Sequence, residues 1–167
     1  MSNDNIQINN RSFIDIETNN NLNIWLRRLI SFFEIGGGLS GFSAVIIAIQ
    51  QAPQFHVRIF LAFSLYSFGI IAGFALIENR NIGVKLSKIF YAIQIPLIIS
   101  SIFCFHLFSG IYLVIKTGTP IIAFVYSFGS RWYISFLELD EKFGIGINII
   151  ALVFFIILHK SSTKRKK

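Results

Sequence analysis

Residues 111–144 read IYLVIKTGTPIIAFVYSFGSRWYISFLELDEKFG. Whether this apolar stretch continues a row of membrane helices or interrupts it decides the architecture. Turn signals cut it at Thr117-Gly118-Thr119-Pro120 and at Phe128-Gly129-Ser130. The pieces between are short and rich in Ile, Val, Tyr, Phe and Trp, as strands are. In the last piece Trp132, Ile134 and Phe136 alternate with Arg131, Tyr133 and Ser135, a period of two that reads as a half-buried strand. The stretch from Ile111 to Leu137 therefore predicts a small β-meander on the extracytoplasmic face. The rival is a re-entrant segment around Pro120 to Gly129, which would need protein or water to cover its non-helical backbone.

On both sides the sequence turns into long apolar blocks. Hydrophobic residues make up 54% of the 167-residue chain, with 19 Phe, while only 14% are charged. Soluble domains average about 25% charged residues and show polar positions at every turn of their surface helices. Blocks of about 20 apolar residues are what a bilayer requires. Four spans are expected, at about 26–49, 57–77, 86–109 and 143–158. The predicted fold class is an all-α membrane protein: a four-helix transmembrane bundle with the β-meander at 111–137 inserted between helices 3 and 4. Residues 1–25 form a polar, Asn-rich cytoplasmic segment without the apolar core of a signal peptide. Residues 26–159 form one membrane domain, and 160–167 a basic tail. Pro53 and its polar neighbours between spans one and two imply an antiparallel hairpin.

Basic residues set the expected orientation. With the N-terminus inside, eleven of the 15 Lys and Arg residues face the cytoplasm and four face out. Both termini are then cytoplasmic, in an integral, multi-pass membrane protein; the layout resembles small bacterial four-helix membrane proteins, which implies a bacterial cytoplasmic membrane.

Inside span one, FFEIGGGLSGF (32–42) sets Glu34 before three glycines. Gly37 and Gly41 are four apart, as are Gly69 and Gly73 in span two. Small residues at that spacing let membrane helices approach closely, so spans one and two should pack through these faces. A carboxyl group at Glu34's depth must face protein or water. Counting along the spans brings Gly73 and Gln94 level with it, and Arg27 lies two turns earlier. Glu34, Gln94 and Arg27 are therefore the candidate polar site. It serves either as a tie between helices or as a proton- or cation-exchanging group. Lys164, Arg165, Lys166 and Lys167 should meet anionic lipid.

Other polar residues read as ordinary structure. Cys104 is alone, His56 and His106 sit at interfaces, and Asn148 offers one interhelical hydrogen bond. Glu138, Asp140 and Glu141 form a solvated stretch. No HExxH, paired-Cys or triad pattern is present, so no metal, cofactor or enzyme activity is expected. Nor is nucleic acid, because a basic run tethered beside a span is already held at lipid headgroups. The expected partners are the bilayer and a second copy or another membrane protein. The expected role is non-enzymatic partner binding or support, the alternative a small transporter or channel subunit using Glu34.

Overall fold

A computed structural model describes residues 22–51, 57–118, 122–136 and 143–163. The segment 1–21, His56, the turn at Pro120, the acidic stretch at 138–141 and Lys164, Arg165, Lys166 and Lys167 lie outside the described residues.

Helix α1 (Ile24–Gln51) starts at Asn23, whose side-chain oxygen accepts a hydrogen bond from the Trp25 backbone N–H at 3.0 Å. Helix α2 (Val57–Ile77) packs along it, and α3 (Asn81–Gln94) turns back against α2. Asn79, in the left-handed region at φ 60°, makes that turn. Six strands follow: β1 (Pro96–Ile99), β2 (Phe103–Phe108), β3 (Ile111–Thr117), β4 (Ile122–Phe128), β5 (Arg131–Phe136) and β6 (Gly144–Asn148). Helix α4 (Ile149–Thr163) comes last and packs on α3.

This is not an all-α four-helix bundle. Of the described helices only α1 and α2 are long and apolar enough to cross a membrane. The expected third span, 86–109, breaks after Gln94. Pro96 has no N–H to continue the helix, and FCFHLF beyond it pairs as β2 with β1 and β5. The expected fourth span, 143–158, is helical only from Ile149, because GIGIN forms β6 with every second residue buried. Nor do the strands of 111–137 form a separate meander. All six belong to one antiparallel sheet of order β4-β3-β6-β1-β2-β5.

Connectivity bends that sheet into a half-barrel. Six strands laid flat would put β4 and β5 about 24 Å apart. Yet Gly129 and Ser130 alone join them, and three residues reach only about 11 Å. The two edges therefore converge at that end. The concave side packs Leu97, Phe108, Tyr112 and Val114 together, with Phe108 and Tyr112 stacked at 4.6 Å.

The two faces of the half-barrel differ in chemistry. Register places Leu97, Cys104, His106, Phe108, Lys116, Arg131, Tyr133, Ser135 and Asn148 on the concave side. The convex side carries Ile98, Phe105, Leu107, Ile115, Phe124, Tyr126, Phe128, Trp132 and Ile147. Part of that apolar surface is covered: Leu107, Phe105 and Trp132 pack against Val45 of α1 and Ile59, Ala62 and Tyr66 of α2. The rest is open, with Phe124, Tyr126 and Phe128 of edge strand β4 at 67, 82 and 69% exposure.

Candidate functional site

Between α1, α2 and α3 lies a line of buried polar groups. Glu34 is fully buried on α1, and its Oε2 accepts a hydrogen bond from the Ser87 hydroxyl of α3 at 2.9 Å. Gly73 of α2 stands alongside: a Cβ there would lie 3.1 Å from the Glu34 Cβ. Glycine is what lets α2 pass so close to the carboxylate-bearing face. Tyr91, one turn beyond Ser87, donates to the Ile30 carbonyl at 3.4 Å. Among the described residues, Glu34 Oε1 and the buried Ser31 hydroxyl have no hydrogen-bond partner.

Gln94 belongs to a second polar group farther along. Its Oε1 accepts the Ser109 N–H at 3.0 Å, at the corner between β2 and β3, while its buried Nε2 has no partner. At the same corner the Ser130 hydroxyl contacts the Gly37 carbonyl at 2.5 Å and the Ser40 hydroxyl at 2.7 Å. Gly110, with φ 83°, turns the chain there beneath the Phe33 carbonyl. Helix α1 is thus tied to the sheet corner by short polar contacts, one turn past Glu34.

The structure does not bring Glu34, Gln94 and Arg27 together as one site. Helix α3 begins at Asn81, five residues before the expected start, so every depth along it shifts by about 7 Å. Ser87, not Gln94, meets Glu34. Arg27 turns toward the α2–α3 connection and donates to the Asn79 side-chain oxygen. The glycines divide as well. Gly41 lies on the Tyr66 ring and Gly73 on Ile35 and Glu34, both at the α1–α2 contact. Gly37 instead abuts Ser109 and Gly110, and Gly69 abuts Phe90 of α3. Gly38, against Ile70 and Tyr66, completes the α1–α2 contact.

Sequence alone does not single out Ser87, which lies between Lys85 and Lys88 at the start of the expected third span. A signal was present: Val84, Ser87, Tyr91 and Gln94 follow the spacing of one helix face, and all four are buried. Asn148 likewise makes no helix–helix bond. It ends β6 and starts α4, its Oδ1 accepting the Ala151 N–H at 3.4 Å as a cap. Its own N–H donates to the Ile95 carbonyl at 2.9 Å, so the two helix-to-strand switches sit side by side.

Chemically the Glu34 group offers one carboxyl, one hydroxyl donor and a cramped apolar surround. Among the described residues no three His, Cys, Asp or Glu side chains are placed to share a metal ion. Cys104 is buried, its Sγ 3.2 Å from the Ser100 carbonyl. His106 lies between Phe108 and Tyr133 in ring stacks of 5.2 and 5.7 Å. Arg131 and Lys116 lie on the same concave side. In comparisons with family models, with curated proteins and with solved structures, the chain matches none.

Proposed function

We propose that this chain is a multi-pass integral membrane protein with a non-enzymatic role, binding or supporting a partner within the bilayer. One observation carries the reading: α1 and α2 turn many large apolar side chains outward, while small and polar residues share the buried face with Ile30, Val45, Ile59, Tyr66 and Leu76. Along α1 and α2 the small and polar residues Ser31, Glu34, Gly37, Gly41, Ala62 and Gly73 point inward, while Leu29, Phe32, Ile46, Phe60, Phe63 and Phe74 point outward. Lipid needs no polar surface and rewards close packing of small residues. The half-barrel likewise exposes apolar residues on its convex side, while its concave side holds polar residues beside the Leu97, Phe108, Tyr112 and Val114 cluster.

In this reading α1 and α2 cross as a hairpin, at about 42 and 31 Å long against a hydrocarbon core of about 30 Å. The segments α3–β1 and β6–α4 run beside them as helix–strand crossings of similar length. The ends carrying Arg27, Arg28, Arg80, Lys85, Lys88 and Lys160 face the cytoplasm, with both termini. The partner surface is edge strand β4, whose open backbone and exposed aromatics lipid cannot satisfy. A second copy, presenting the same edge, is the occupant we favour.

Reporter fusions test the topology. A reporter after Lys167 should be active in the cytoplasm and one at Pro120 outside, with the protein resisting alkaline carbonate extraction. Reporters on one side would reject the helix–strand crossings; carbonate release would reject the membrane reading itself.

The unpartnered Glu34 Oε1 motivates a second reading, proton or cation exchange at this carboxyl. It requires flux in liposomes that disappears in stable Glu34→Gln protein.

A further inference from the structure

The antiparallel pair α3 and α4 encloses a groove of about 450 Å³ that the Glu34 site does not use, lined by Lys85, Lys88, Ile89, Ala92, Phe155 and His159. On α3 the four lining residues fall at successive positions of one helix face, with Lys85 and Lys88 first and Ile89 and Ala92 deeper. On α4 the order is reversed: Phe155 comes first and His159 one turn later, their rings 6.0 Å apart. Because the helices run in opposite directions, the basic ends coincide and so do the apolar ends. The groove therefore has a charged mouth and an apolar floor, separated by about 10 Å along α3. No lining residue is acidic. Lys160 follows His159 at the same end, where Leu76, Val84 and Leu158 pack into one cluster.

From this layout we infer that the α3–α4 groove is a binding site for one anionic phospholipid. Lys85 and Lys88 hold the phosphate, and an acyl chain lies over Ile89, Ala92 and Phe155. Charge complementarity selects the phosphate, and the gradient from cationic to apolar selects an amphiphile over a free anion or a nucleic acid strand. The inference rests on the membrane reading above, which puts the mouth at the headgroup level of the cytoplasmic leaflet, where anionic lipid is concentrated.

Native mass spectrometry of the full chain in neutral detergent tests it, with phosphatidylglycerol or phosphatidylcholine of matched acyl chains added. Wild type should retain a single phosphatidylglycerol about tenfold better than phosphatidylcholine. In Lys85→Gln/Lys88→Gln protein that preference should disappear. Ala92→Leu, which fills the floor and leaves the charges, should weaken retention several-fold, and it decides the matter if the double variant fails to fold. Replacing Lys164, Arg165, Lys166 and Lys167 by Gln should preserve the preference. Equal retention of both lipids by wild type, unchanged preference in the folded double variant, unchanged retention in Ala92→Leu, or loss of preference with the tail alone would each overturn the site. Protein that resists carbonate yet shows no preference fails this inference and leaves the membrane reading intact.

Discussion

At Glu34 the surrounding atoms argue for a tie between helices. The Ser87 hydroxyl donates to its Oε2, and both groups are buried. Gln keeps an oxygen acceptor there; Leu leaves the serine hydroxyl without one. A buried donor left unsatisfied costs about 1–3 kcal/mol, and hydrogen bonds between membrane helices average nearer 0.6. Glu34→Leu should therefore be less stable than Glu34→Gln by about 1 kcal/mol, measured by thermal unfolding in detergent. Equal stability would show that the Ser87 contact contributes nothing. The neighbouring glycines allow a sharper contrast. A Cβ at Gly36 would meet nothing within 4 Å, whereas one at Gly37 would run into Ser109 and the Gly110 backbone. Gly36→Ala should gain up to about 1 kcal/mol of helix stability. Gly37→Ala should lose stability, because the sheet corner must move. Similar effects of the two would mean that α1 does not rest on that corner.

Among the elements, strand β4 forms an edge of the half-barrel. Among the described residues strand β4 pairs only with β3, and its outward residues Phe124, Tyr126 and Phe128 are open. An exposed edge with aromatic side chains is a template for another chain.

For the whole molecule that edge sets the expected assembly. A photo-crosslinking residue at Tyr126 should trap a product in the membrane at twice the chain mass, the signature of a second copy. The same residue at Tyr133, on the concave side, should trap far less. Crosslinks to a different membrane protein would replace the second copy by that partner. Equal yields at the two positions would show that β4 is no contact surface. Polar ties through Gly37, Ser40 and Ser130 join α1 to the sheet corner, so helices and half-barrel should melt together. Gly37→Leu should accordingly lower the melting of helix and strand signals together in circular dichroism.

The long apolar helices α1 and α2, the strand character of 111–136 and the clustering of basic residues at one end follow from the residues alone. Length, hydropathy and period-two alternation are local properties, and no distant contact is needed to read them. The fate of 96–108 and 144–148 was not legible in the same way. Their Ile, Phe and Gly residues are apolar enough for a helix in lipid, and periodicity over four or five residues separates helix from strand poorly. Only pairing decided: β1, β2 and β6 are strands because each finds neighbours in a sheet assembled across residues 96–148. The site shows the same division. A carboxyl group in an apolar helix must be buried and must find a donor, so Glu34 stood out at once. Which donor it finds depends on where α3 begins and how the helices cross, and that register is set by the packing of Tyr66, Phe90 and the glycines against one another.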